Sequence, residues 1–195
     1  MKIKLALLAV LTLISLQALL SQSKNEKEER IKRSDFPEKI QNIIKSLPKE
    51  CKRLKFYKET DGTKKSYEVK FKYKKQHYSL EFSEKGMIED IEVLTKLNDI
   101  KLLIKKQIKI YFKQSFDKHK LIKIQKQYVY SKEIKPSQFI IDVLNKKAKA
   151  TINFEIIAEV KSKKTREIRE FTFNNNGQFL RDRTLNLTSY EHDLY

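Results

Sequence analysis

The chain has 195 residues, 39% hydrophobic and 10% aromatic, and its 43 Lys and Arg against 25 Asp and Glu leave a formal charge of +18. One cysteine, Cys51, excludes an intramolecular disulfide framework, so stability must come from an ordinary packed core. The charge favours acidic partners and anionic surfaces over neutral ones, although the lysines are scattered among glutamates rather than gathered in one block.

The first residues, "MKIK", precede an apolar run from Leu5 to Leu20 and then "SQSKNEKEERIKR". A basic start, an apolar core and polar residues beyond it describe a secretory signal peptide over 1–21, cut near Ser21 or Gln22. The run is short for a membrane anchor, which is the alternative. No Cys follows it, against a lipoprotein anchor, and no later run is long enough to span a bilayer. The expected location is periplasmic or secreted, which makes specific nucleic-acid binding an unsuitable role for the charge.

Residues 22–34 are almost all polar and read as a flexible leader. Asp35, with Pro37 and Glu38 behind it, predicts a capped helix carrying Phe36, Ile40, Ile43, Ile44 and Leu47 on one stripe, ended by Pro48. From Arg53 the period becomes two. Asp61-Gly62 marks a hairpin, and Tyr67, Val69, Phe71 and Tyr73 alternate with Glu68, Lys70 and Lys72. Tyr78, Leu80 and Phe82 form the next strand, and Gly86 turns the chain before Ile91 and Val93. The pattern restarts with a helical stripe from Ile100 to Phe112, capped by Asn98 or Asp99. Strands follow at Leu121–Tyr130, Ile152–Val160 and Phe171–Phe173, and Gly177 turns into the last one. An extra helix is inserted over 136–147.

Two of the three glycines, Gly86 and Gly177, thus fall in the same phrase about 90 residues apart, after "YSLEF" and "FTFN". The fold class expected is α+β, as two tandem units, each one helix plus a four-stranded antiparallel meander, with helices packed on one sheet face. The units are bounded at 35–95 and 96–187, with a tail at 188–195. Gly62, Gly86 and Gly177 are assigned structural turns.

This order of helix, "YEVKFKY", turn, "YSLEF" and "SEKG" resembles the exported PepSY-like modules related to the β-lactamase inhibitor protein. The sequence departs from them in having no Trp, and in Ser83 and Asn174 where an acid often precedes the last turn. The resemblance implies an antiparallel sheet backed by helices that contacts another protein through its open face or hairpin loops. It carries over no inhibitory residue.

Chemistry is scarce in the sequence. His77 and Glu81 lie four apart on one strand, which is half a metal site, and they read as surface polar residues. No nucleophile motif, phosphate loop or dinucleotide fingerprint occurs, so the expectation is a non-enzyme with no catalytic residue, no metal and no cofactor. Asn186-Leu-Thr188 is a glycosylation triplet, relevant only in a eukaryote. Tyr57 alternates against Leu54 and Phe56, which places it with Lys70 and Lys72 on the sheet face away from the helices. Those three residues are the expected contact with an acidic protein partner. The alternative is a basic surface that grips anionic envelope polymer or lipid head groups.

Overall fold

The computed structural model describes residues 22–24 and 26–185. The expected signal peptide and its cleavage point, the triplet at Asn186 and the tail from 188 lie outside them. Two short strands come first, β1 (Gln22–Lys24) and β2 (Glu26–Arg30). A 3-10 turn over Arg33–Asp35 leads into helix α1 (Glu38–Lys45). Strands β3 (Lys52–Asp61), β4 (Lys64–Tyr73), β5 (Gln76–Ser83) and β6 (Ile88–Leu94) follow. After a second 3-10 turn at Leu97–Asp99 come α2 (Leu102–Ser115), β7 (Lys118–Val129) and α3 (Pro136–Leu144), then β8 (Thr151–Ser162), β9 (Thr165–Asn174) and β10 (Phe179–Leu185).

These elements do not form two helix-plus-four-strand units. All ten strands make one sheet in the order β1-β10-β9-β8-β7-β6-β5-β4-β3-β2. The join is β6 against β7, from Asp90 opposite Val129 to Leu94 opposite Gln125, and Thr95 N–H adds a bond to Ile124 O at 2.9 Å. A meander ending at β6 would leave a row of unpaired backbone groups on its last strand, and β7 satisfies them.

The leader forms two strands over part of its described length. Glu26–Arg30 pairs antiparallel with β3, and Gln22–Lys24 runs parallel to β10. A polar segment too poor in apolar residues to hold a core can still be ordered by backbone bonds to a waiting strand edge. Here it meets two. Strands β1 and β2 are one residue apart in the chain yet lie at opposite ends of the strand order, so the sheet curls until this single segment joins its edges. A side-chain contact agrees: Arg183 Nη1 on β10 lies 3.2 Å from Asp61 Oδ2 on β3.

The outer face of the curl is apolar because alternate strand residues point there. Ile40 and Ile44 of α1 and Phe139, Ile140, Val143 and Leu144 of α3 pack on Val69, Phe71, Leu80, Phe82 and Ile91. Ile108 and Phe112 of α2 pack on Phe154, Ile156, Ala158, Phe171 and Phe173. Ile152 touches both clusters, so the core is continuous along the sheet.

The expected caps shift by a turn. Asp35 accepts the Lys32 backbone N–H at 2.9 Å and closes the 3-10 turn, while α1 starts behind Pro37. Asn98 and Asp99 likewise belong to the 3-10 turn before α2, whose N-cap is Lys101. Gly86 and Gly177 have φ of +70 and +78, and their N–H groups bond Ser83 O at 2.8 Å and Asn174 O at 2.9 Å. Each hairpin lies against a helix. A Cβ on Gly177 would sit 2.7 Å from Ile104 O, and one on Gly86 3.2 Å from Ile40 Cγ1.

Candidate functional site

From β3 to β9 the opposite face is mostly polar, and the curl turns that face inward. Cross-strand neighbours set out its residues: Glu68 opposite Glu81, Lys70 opposite Ser79 and Lys72 opposite His77. Glu81 is in turn opposite Asp90, and Ser79 opposite Glu92. Gln125 faces Glu155, and Glu170 faces Arg183. Among the described residues no helix packs on this side, yet Glu59, Glu68, Ser79, Asp90, Glu92, Glu170 and Thr172 are buried. A chain with a large positive charge has folded several of its carboxylates inside.

Burying acids demands compensation. On one side Lys70 supplies it, its Nζ lying 2.7 Å from Glu28 Oε1 and 3.2 Å from Glu68 Oε2, with side-chain exposures of 18%, 7% and 5%. Glu28 comes from β2, so the closing strand brings one of the acids that hold Lys70. Burial alone would lower the Lys70 pKa, but Glu68 and Glu28 overcome it and hold the ammonium above its ordinary range. Ser79 Oγ donates to Glu68, and Ser66 Oγ donates to Glu59 at 3.0 Å. Across the curl Arg183 reaches Glu170 at 2.6 Å as well as Asp61. Burial, followed by the charge of Glu68, pushes the Glu59 carboxyl well above the usual carboxylate range.

The remaining acids meet amides instead. Gln127 Nε2 donates to Asp90 Oδ2 at 3.1 Å and to Glu155 Oε1 at 3.2 Å, and Asn153 Nδ2 donates to Gln127 Oε1 at 3.0 Å. Gln125 Nε2 donates to Glu92. Burial first, and neighbouring carboxylates second, raise Glu81, Asp90 and Glu92 well above their ordinary values.

At one end the curl opens into a cavity of about 1230 Å³. Glu68, Ser79, Glu92 and Gln125 are among its lining residues, and eight Lys and Arg, including Arg53, Lys55, Lys72 and Lys123, line it against three acids. Positive side chains thus ring an acidic interior. Lys70 and Lys72, expected as contacts, both line the cavity. Lys70 is committed to its two glutamates. Tyr57, the third expected residue, is half-buried with its ring centroid 4.9 Å from Lys70 Nζ, opposite Arg30 of β2 and Glu68 of β4. The structure brings the three to one face, which the curl turns inward and which β2 extends beside Tyr57.

His77 stands at the mouth, its pKa lowered by burial and then by Lys72, Arg53 and Lys55. Glu81 lies four residues further in and turns to Asp90 and Glu92, so the two do not make a shared site. Cys51 is 8% exposed, and burial pushes its thiol up to about 11, too high for a thiolate nucleophile at neutral pH.

The sequence pattern carried the inward row of Glu68, Glu81, Asp90 and Glu92 through simple alternation. What it did not carry was the curl. On a flat sheet the same row is a solvated face.

No protein-family model matches the sequence, and no curated protein matches it. Among solved structures, a DUF2874 family protein from Bacteroides ovatus aligns with TM-score 0.50 and 9% identity, over 76% of this chain and 86% of that one. Another DUF2874 family protein, from Bacteroides uniformis, gives 0.50 and 9% over 76% and 89%. A BLIP-like protein from Bacteroides fragilis gives 0.46 and 11% over 77% and 89%. At such identities the likeness is one of backbone fold.

Proposed function

We propose that the chain is an exported, non-catalytic binding module of the PepSY-like kind that receives an acidic segment of a partner protein at the cationic mouth of its curled sheet. The observation that carries this reading is the charge of the mouth: eight Lys and Arg and three acids line one cavity. Low-dielectric walls concentrate the field of such a ring and raise the local concentration of anionic segments. Lys72 belongs to that ring, and Lys70 and Tyr57 stiffen the wall behind it. An acidic segment gains mainly association rate from the outer lysines.

The test is a titration of an oligoglutamate peptide against the parent and two variants of equal charge change. Lys55→Glu, Lys72→Glu and Lys123→Glu together should weaken binding at least about tenfold, chiefly through slower association. Lys85→Glu, Lys132→Glu and Lys147→Glu, at exposed positions in the β5–β6 hairpin and the loops on either side of α3, none of which lines the cavity, should change it far less. Equal losses would show that bulk charge, not the mouth, does the binding.

One observation favours a second reading, an anionic surface binder. Leu102 and Leu103 at the start of α2 are 72% and 77% exposed, on the same helix as exposed Lys106, Lys109 and Lys113. Exposed leucines with lysines suit an anionic lipid interface. Co-sedimentation with phosphatidylserine vesicles, lost in Leu102→Ser with Leu103→Ser, would support it. Absence of pelleting by the parent would remove it.

A further inference from the structure

Two carboxylate triads lie inside the curl, and they differ in one respect. In each, one oxygen per residue lies within 4.8 Å of the others: Glu28, Glu59 and Glu68 in the first, Glu81, Asp90 and Glu92 in the second. The first has a cation of its own, Lys70. Among the described residues no Lys or Arg is ion-paired to the second. Lys64, on the neighbouring hairpin, is 63% exposed and bonds Glu89 at 3.1 Å. Each triad has one buried carboxylate oxygen without a hydrogen-bond partner, but Glu68 Oε2 in the first lies 3.2 Å from Lys70 Nζ, whereas in the second Asp90, only 8% exposed, has its Oδ2 bonded by Gln127 and its Oδ1 matched by no cation among the described residues. An unsatisfied carboxylate oxygen in a dry interior costs free energy.

We propose that Glu81, Asp90 and Glu92 hold a hard divalent cation of the calcium kind, in the place that Lys70 takes in the other triad. The donor set is all oxygen, with no sulfur or imidazole among the triad, and this selects Ca²⁺ or Mg²⁺ over zinc or copper. Three carboxylates on one short stretch of sheet suit the larger ion. Ca²⁺ takes irregular, carboxylate-rich shells of six to eight oxygens, whereas Mg²⁺ demands a near-ideal octahedron and keeps several of its waters. Glu155 stands behind the three, sharing a hydrogen bond with Glu92 and one with Gln127, and water completes the shell. Glu92 lines the cavity, so an ion has a path from solvent. The site does not depend on the partner reading above. A bound ion would leave the outer lysines unchanged.

Calorimetric titration of the whole protein with CaCl₂, after passage through chelator, tests it. The expected result is one Ca²⁺ per chain with a dissociation constant of about 1 mM or tighter, the range of extracellular modules. Asp90→Asn with Glu92→Gln should weaken it at least tenfold while leaving a cooperative melt. These substitutions remove charges from a crowded interior, so metal-free stability should hold or rise. Glu59→Gln, in the triad that Lys70 serves, should bind Ca²⁺ like the parent. No heat of binding up to about 10 mM Ca²⁺, or binding that survives the double variant, overturns the site.

Discussion

Single residues carry the sharpest consequences of this fold. Gly62, Gly86 and Gly177 all have positive φ but different surroundings: nothing lies within 4 Å of a Cβ on Gly62, an Ile40 carbon lies at 3.2 Å for Gly86, and a helix carbonyl lies at 2.7 Å for Gly177. The Ala substitutions should therefore rank. Gly62→Ala should cost about 1 kcal/mol for backbone strain alone, Gly86→Ala about 1–2, and Gly177→Ala about 3 or more. Urea denaturation of the three variants measures the order, and a Gly177→Ala protein as stable as Gly62→Ala would contradict the contact with α2. The buried acids predict an unusual pH profile. Glu81, Asp90 and Glu92 have folded pKa values above their ordinary 4.5 and 3.8, so the native state binds more protons than the unfolded chain above about pH 4. Their contribution to stability is complete below the ordinary values. It is lost as pH rises from there toward the raised ones, by up to about 1.4 kcal/mol per pH unit for each proton involved. In chelator, melts between about pH 4.5 and 8 should fall more steeply for the parent than for Asp90→Asn with Glu92→Gln. Equal slopes would mean these carboxyls titrate normally.

At the scale of elements, the N-terminal strand deserves the test. Glu28 gives Lys70 one of its two carboxylates, and Glu26–Arg30 covers the outer edge of β3. Removing residues 22–30 should lower the melting temperature and expose a long strand edge, giving concentration-dependent association on size-exclusion chromatography. Lys70→Met should cost about 3–5 kcal/mol, because it leaves Glu28 and Glu68 buried without their cation. A Lys70→Met protein as stable as the parent would show the pair to be solvated. These elements also mark how far the sequence could be read. Helical stripes, period-two strands and the two glycine turns are local patterns, so "YEVKFKY" and the Ile40–Ile44 stripe placed their faces without a structure. The leader is different. "EKEER" has no apolar side to announce a strand, and its order comes from the backbone edge of β3, a distant segment. The β6–β7 join is equally non-local, since each strand alternates the same way whether or not it has that neighbour. Alternation puts Tyr57, Lys70 and Lys72 on a common face, but the extension of that face by β2 and the pairing of Lys70 with Glu28, 42 positions away, are non-local.

Over the whole molecule, one geometric event accounts for the interior acids, the cationic mouth and the cavity: the sheet curls until a single N-terminal segment joins β3 to β10. Flat, eight strands from β3 to β10 would separate their outer members by seven spacings, about 34 Å. In the curled sheet Asp61 and Arg183 touch at 3.2 Å. The DUF2874 family structures share the backbone fold over three-quarters of this chain. The closure can be measured directly by pulsed electron resonance between spin labels at Thr60 and Thr184, which neighbour Asp61 and Arg183 in sequence, in a Cys51→Ser background. The curled sheet predicts a narrow distance distribution centred below about 20 Å, and a distribution centred above about 30 Å would contradict it, along with the enclosed cavity on which the proposed function depends.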